Sequence, residues 1–259
     1  MNVPNLTIIK IFMTKRILVI GKNGQLGRSL QKVVKKLVYS DWDFFFIARN
    51  ILDLSNLDSI NDFFQDQHFA AIINCAAYTS VDRAENEVKL ADQINHLAVG
   101  QIAKIAKNQT IPLIHISTDY VFHGQGLKPY QEKDKTNPQN IYGLTKLKGE
   151  QVMIKSGCTG AIIRTSWLHS EFGNNFVKTM LALGKKRNSL KVVIDQVGSP
   201  TYATNLAKLL LAMLNKNQKT KILNSQFNIY HFSDEGNCSW YDFTKAIFDL
   251  SDISCQINP

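Results

Sequence analysis

The sequence predicts a doubly wound parallel α/β sheet followed by a smaller C-terminal α/β lobe. Three observations carry this expectation. Short apolar runs rich in Ile, Val and Phe recur through the first two thirds of the chain, helical patterns separate them, and the first run opens directly into a glycine-rich turn. Continuous apolar runs suit strands covered on both faces, and regular alternation of strand with helix is the mark of parallel βαβ units.

The elements follow in order. Strands are predicted at 16–20 (RILVI), 43–48 (DFFFIA), 70–75 (AAIINC), 111–116 (IPLIHI) and 160–165 (GAIIRT). Helices are predicted at 25–37, 56–66, 87–107 and 141–155; the third carries Leu90, Ile94, Leu97, Ile102 and Ile105 at roughly helical spacing. A loop rich in Gly, Lys, Asn and Pro fills 123–139. Beyond 165 the order loosens into helix 174–183, strand 190–194, helix 203–214, strand 227–232 and helix 239–250. The expected organisation is an N-terminal extension over 1–13, a dinucleotide-binding Rossmann domain over 14–165 and a substrate lobe over 166–259.

Composition narrows the function classes. The 259 residues are 44% hydrophobic and 20% charged, an ordinary globular balance. No uninterrupted apolar stretch reaches the roughly 18 residues of a membrane span, so no membrane partner is expected. Residues 1–13 lack the basic start and small-residue cleavage site of a signal peptide, and Met13 is a candidate start. Cys75, Cys158, Cys238 and Cys255 are widely separated and form no C-x-x-C pair. That pattern argues against a metal site or a disulfide framework and for a reducing cytoplasm. The net charge of +9 comes from dispersed basic residues, so no nucleic-acid partner is expected, while small anionic ligands would be attracted.

The stretch Gly21-Lys22-Asn23-Gly24-Gln25-Leu26-Gly27 joins the first strand to the first helix. Gly21 suits a tight turn, Gly24 lets backbone approach a pyrophosphate at the helix N-terminus, and Gly27 permits close helix–strand packing. At the end of the second strand, where an acidic residue would hold the ribose of NAD, the chain has Arg49. An arginine there leans toward the 2′-phosphate of NADPH, with NADH as the other option. Asp53 lies close enough in sequence to face the adenine side, or else to cap a helix.

Tyr142 and Lys146 are four apart on a predicted helix and so share a face. A neighbouring ammonium favours an ionised phenol, which is the expected route to an acid–base tyrosine. Tyr241 and Lys245 repeat the spacing, so spacing alone does not decide. The strand run ending at Ile116 continues as Ser117-Thr118-Asp119-Tyr120-Val121-Phe122. Strand carboxyl ends line the ligand crevice in open α/β sheets, which places Ser117, Thr118 and Asp119 beside a bound ligand and leaves Tyr241 without such a strand end. The competing reading is that the hydroxyls only satisfy loop backbone.

The glycine turn, Asn74-Cys75-Ala76-Ala77-Tyr78-Thr79-Ser80-Val81-Asp82-Arg83-Ala84-Glu85, the Ser117–Phe122 stretch and Tyr142-Gly143-Leu144-Thr145-Lys146 together resemble the extended short-chain dehydrogenase/reductases. Arg164-Thr165-Ser166-Trp167, Gly173–Met180, Asp195–Thr201 and Cys238-Ser239-Trp240-Tyr241 resemble the dTDP-4-dehydrorhamnose reductase family in particular, over about residues 16–250. The resemblance implies Tyr142 as proton donor, Lys146 as its activator and ribose ligand, and Thr118 as partner of the sugar carbonyl. It implies a cofactor lined by Gly24, Gln25, Leu26, Asp53, Leu54, Ala77, Tyr78 and Thr79, and a sugar nucleotide touched by Asp119, Trp167 and Asn175. The implied substrate is a dTDP-4-keto-6-deoxy sugar, reduced with NADPH or NADH, and the resemblance leaves room for a homodimer.

Two other readings compete. Sugar-nucleotide dehydratases share the fold but have Glu where this chain has Tyr120, and elimination needs that acid. The regulatory subunit of methionine adenosyltransferase resembles the same reductases and acts by binding. The family also continues past the equivalent of Pro259 through a basic segment that closes over the substrate, so an open site and weak turnover are expected of this chain.

Overall fold

The computed structural model describes residues 15–36, 42–126, 128–220, 223 and 227–259; the expected extension at 1–13 lies outside them. The N-terminal half alternates as expected: β1 (Lys15–Ile20), α1 (Gln25–Lys36), β2 (Trp42–Ile47), α2 (Leu57–Phe64) and β3 (Ala71–Asn74). Next come the short helices α3 (Val81–Ala84) and α4 (Val88–Asp92), α5 (Ala98–Asn108), β4 (Leu113–Thr118), α6 (Ile141–Ser156) and β5 (Gly160–Thr165). The strand predicted to stop at Ile116 runs two residues further, so the polar pair Ser117 and Thr118 lies inside β4.

The helix expected over 87–107 is interrupted. A π-helical turn over Gln93–Leu97 separates α4 from α5. Within it the Asn95 amide turns inward, accepting from the Tyr78 N–H at 2.9 Å and donating to the Tyr78 carbonyl and to Thr145 Oγ1. Apolar periodicity does not register an extra residue of this kind, because the spacing on either side stays helical.

Beyond β5 come β6 (Leu168–His169), α7 (Phe176–Gly184), β7 (Ser189–Lys191), β8 (Val197–Gly198) and β9 (Thr201–Tyr202). They are followed by α8 (Ala203–Thr220), β10 (Phe227–His231), β11 (Cys238–Ser239), α9 (Trp240–Asp249) and β12 (Gln256–Asn258). The six-stranded sheet has the order β10-β5-β4-β3-β1-β2, every pairing parallel.

The path of the chain brings two elements past residue 165 back to the first layer system. β10 pairs along β5, and Leu206, Leu210, Leu211 and Leu214 of α8 pack on the sheet beside Leu26 and Leu30 of α1. Both elements therefore belong to the first layer system although they lie past 165. What remains as a lobe is α7, α9 and the short strand pairs, around a small core of Met180, Leu190, Ile247 and Phe248.

Strand periodicity explains the two main cores. In β1, Leu18 and Ile20 face one way with Ile72, Leu113 and Ile162, against Ala98, Val99 and Ile102 of α5. Ile17 and Val19 face the other way with Ile73, Ile114 and Ile163, against α1 and α8. Both faces are dry, which is why these strands read as continuous rather than alternating apolar runs.

Candidate active site

A cleft of about 1050 Å³ runs along the carboxyl ends of β1, β2, β3, β4 and β5. Its floor at one end is the glycine turn. Gly21 has φ +96°, and a Cβ on Gly27 would stand 2.1 Å from the Gly21 carbonyl oxygen. Both positions exclude side chains, so the turn packs against the start of α1, whose first turn lines the cleft and carries no acidic residue. This is the backbone cradle a pyrophosphate requires. Asn23, Gly24, Gln25 and Leu26 line it with Gly21, while Gly27 lies beneath. The residues present thus fit a dinucleotide.

Arg49 and Asp53 line the same end and pair with each other at 3.2 Å; Arg49 also donates to Ser55 Oγ. Asp53 accepts from both the N–H and the hydroxyl of Ser55, which together with the Arg49 charge hold its carboxyl below its ordinary range despite partial burial. It does not cap α2, whose N-cap is Asn56. Leu54, Ala77, Tyr78 and Thr79 complete this wall.

Two predicted contacts turn out to bond each other. Gln25 Oε1 accepts from Asn175 Nδ2 at 2.9 Å and from Ser170 Oγ at 3.1 Å, while Asn175 Oδ1 caps α7 through the Lys178 N–H. Both line the cleft, but their side-chain amides join the start of α1 to the lobe.

At the centre, β4 and α6 bring Thr118, Asp119, Tyr142 and Lys146 together. α6 starts at the Asn140 cap, whose side chain accepts from the Gly143 N–H at 2.7 Å. Gly143 is needed for the approach: a Cβ there would stand 2.2 Å from the Tyr120 carbonyl oxygen. The missing side chain lets α6 press against the turn after β4, so the Tyr142 ring meets Tyr120 edge-on with centroids 5.5 Å apart. Thr118 Oγ1 donates to Asp119 Oδ1 at 3.1 Å and accepts from the Tyr120 N–H. Burial lifts the Asp119 carboxyl to about 6, partly offset by hydrogen bonds from the Thr118 hydroxyl and from the backbone N–H groups of Asp119 and Tyr120.

The expected lowering of the Tyr142 phenol by Lys146 is corrected. Burial pushes the phenol well above its ordinary value, with the Thr118 hydroxyl as the opposing influence and the negative charge of Asp119 adding to the rise. Lys146 faces elsewhere: Nζ donates to the Ile116 carbonyl at 2.6 Å and lies 3.1 Å from His115 Nε2. Burial brings its ammonium down to about 8, against a smaller upward pull from Glu150.

Trp167, at φ +45°, forms the lobe side of the cleft and stacks on Trp240 with centroids 3.4 Å apart. The decoy Tyr241, second residue of α9, is outside the cleft lining, its N–H bonded to the Val193 carbonyl. The groups missed from sequence lie behind Lys146. Asn74, His115 and Arg164 are buried within β3, β4 and β5, and Glu150 accepts from Ser117 Oγ, Arg164 Nε and Arg164 Nη2. Their signal was available: a polar residue interrupts each of three apolar strand runs.

Residues 15–259 match the family model described as the RmlD substrate binding domain. The dTDP-4-dehydrorhamnose reductase of Aggregatibacter actinomycetemcomitans is 41% identical over 234 residues, 90% of this chain and 78% of the relative. The chain belongs to the dTDP-4-dehydrorhamnose reductase family. Solved structures of the family superpose closely. The reductase of Clostridium acetobutylicum gives a TM-score of 0.86 at 39% identity, covering 94% of this chain and 83% of its own. That of Bacillus anthracis, solved in complex with NADP, gives 0.85 at 40% identity, with 95% and 84% covered. As a dTDP-4-dehydrorhamnose reductase family member, the chain has its Rossmann sheet in common with these structures. Among the described residues no helix is long and apolar enough to cross a membrane, and no three His, Cys, Asp or Glu side chains group as a metal site.

Proposed function

We propose that this protein reduces the 4-keto group of dTDP-4-dehydro-L-rhamnose with NADPH, giving dTDP-L-rhamnose. One observation supports the reading above the others: the strand-end hydroxyl Thr118 and the α6 pair Tyr142 and Lys146 meet in one cleft with the glycine turn. The bound nicotinamide supplies a hydride to the carbonyl carbon. Tyr142 delivers the proton to the oxygen as charge develops there. A phenol kept protonated by burial suits a donor, and the Thr118 hydroxyl beside it orients the carbonyl.

Lys146, with an ammonium near 8, holds or releases a proton close to neutral pH and so supports recharging of Tyr142. The ionised Asp119 accepts from a sugar hydroxyl, and Trp167 covers an apolar face of the ring. Arg49, with its side chain largely in solvent, meets the 2′-phosphate of NADPH, while NADH lacks that anchor. Four cysteines without disulfide partners agree with a cytoplasmic setting.

The test is oxidation of NADPH by the purified chain with dTDP-4-dehydro-L-rhamnose, with the sugar product identified by mass and NMR. Product formation that requires both reactants supports the reading. NADPH binding without turnover of any dTDP-keto sugar would overturn it in favour of a binding role.

A further inference from the structure

Behind Lys146 a chain of hydrogen bonds carries a constraint on protons. Ala76, in the cofactor wall, donates its backbone N–H to Asn74 Oδ1 at 3.0 Å. That bond fixes the orientation of the Asn74 amide, since a backbone N–H needs an oxygen. Asn74 Nδ2 therefore points at His115 Nδ1, 3.2 Å away. An amide NH₂ only donates, so Nδ1 is the acceptor and the ring proton sits on Nε2. Nε2 faces Lys146 Nζ at 3.1 Å. Two donors cannot share that contact, so the lysine must offer a lone pair.

We propose that His115, locked by Asn74 as the Nε2–H tautomer, is a positioning residue that donates to the neutral amine of Lys146 and thereby sets the lysine's charge. Charging Lys146 then requires His115 to move its proton to Nδ1, against Asn74 Nδ2, or Asn74 to release the Ala76 N–H. The lysine's protonation is thus tied to the backbone of the cofactor wall. In keto reduction the Tyr142 proton goes to the substrate oxygen, and a proton from the Lys146 ammonium recharges the site. His115 stabilises the amine that is left until solvent restores the proton. This consequence rests on the reductase reading; the tautomer and the Lys146 charge do not.

The surroundings agree. β3 presents Asn74 to the pair, β4 presents His115 itself, the turn after β4 presents Asp119, β5 presents Arg164, and α6 presents Tyr142 and Glu150. Arg164 occupies both oxygens of Glu150, leaving that carboxylate a weak counter-charge for Lys146. Burial likewise disfavours charge on both His115 and Lys146.

The test uses ligand-free full-length protein labelled with ¹⁵N at histidine, with His115 assigned by its loss in His115→Gln. At about pH 9, above the Lys146 midpoint, the ring should show a protonated Nε2 and a bare Nδ1, and its signals should titrate together with the Lys146 Cε shift. A protonated Nδ1 at that pH, or a ring indifferent to Lys146, would overturn the proposal. Asn74→Asp supplies the reverse polarity, because a carboxylate can accept from Ala76 and from Nδ1–H at once. The tautomer should invert and the Lys146 midpoint should rise by about one pH unit. An unmoved midpoint in folded Asn74→Asp protein would also overturn it. None of these readouts needs substrate, so failure of the reductase reading would show separately, as absent turnover in a protein with the expected tautomer.

Discussion

Lys146 Nζ bonds the Ile116 carbonyl at 2.6 Å, which holds the lysine against β4 rather than spending its hydrogen bonds on the phenol four residues earlier. Lys146 therefore acts through its ammonium, whose proton is lost as pH rises through about 8. With the ammonium at about 8, below its ordinary 10.5, the folded protein binds fewer protons than the unfolded chain between those values. Stability from this group thus rises with pH across that window and is penalised in full below it. Activity runs the other way. The kcat/KM of keto reduction should fall as pH rises through about 8, while thermal stability attributable to Lys146 improves. Lys146→Met should be inactive yet at least as stable as the parent at pH below 8, measured by thermal melts.

Asp119 sets the opposite limb. Its carboxyl, raised to about 6 by burial, is ionised above that pH and protonated below it. An acceptor for a sugar hydroxyl is then lost on acidification. The kcat/KM should decline as pH falls through about 6, mainly through KM, and Asp119→Asn should have a raised KM with that acid limb gone. An unchanged limb in Asp119→Asn would assign it to another group.

Tyr142→Phe removes a proton and little volume. It should lower kcat by roughly 10²–10⁴, the usual range for general acid catalysis, with NADPH affinity nearly intact by fluorescence titration. Tyr241→Phe, in the first turn of α9 but outside the cleft lining, should stay within about twofold. Equal losses in the two variants would remove Tyr142 from its assigned role.

The contrast between these tyrosines shows how far the sequence could be read. Both have a lysine four residues on, and only the polar end of β4 told them apart. The strands were legible because residues such as Leu18 and Val19 are buried on opposite faces, so each run stays apolar with at most a few polar breaks. The π turn at Asn95 was not legible, since one extra residue leaves the apolar stripe intact on either side. Nor was the return of β10 to β5, because parallel pairing across more than sixty residues leaves no local mark. The Tyr142 environment is hidden from the sequence for a related reason. Spacing on a helix puts Lys146 on the same face, but the desolvation that raises the phenol depends on which strands cover it.

Gly24 and Gly27 separate two uses of one turn. A Cβ on Gly27 would lie 2.1 Å from the Gly21 carbonyl oxygen and 2.9 Å from its carbon, both backbone atoms that cannot swing aside. Gly27→Ala should displace α1 from the turn and destabilise the fold, with a cost of about 1–3 kcal/mol read from denaturant unfolding. A Cβ on Gly24 meets only the Gly21 oxygen, at 3.4 Å, an ordinary contact. Gly24→Ala should fold normally and lose dinucleotide affinity, because the methyl stands where the pyrophosphate approaches. Normal NADPH binding by folded Gly24→Ala would place the phosphates elsewhere.

Arg49 decides between the two dinucleotides. Its side chain is 70% exposed and held by Asp53 and Ser55 at the rim of the cleft, so it is preorganised toward solvent rather than packed. An exposed arginine gains little from Asp53, since surface pairs contribute roughly 0–1 kcal/mol, and it can turn to a phosphate at small cost. A dianionic phosphate makes the stronger, charge-assisted partner. Arg49→Ala should therefore weaken NADPH binding by about tenfold and leave NADH nearly unchanged, while melting within about 1 °C of the parent because no buried group is exposed. Calorimetric titration of both cofactors against both proteins measures this directly. Equal weakening of NADPH and NADH would mean that Arg49 contributes only a general positive field, and tighter NADH binding by the parent would reverse the assigned preference.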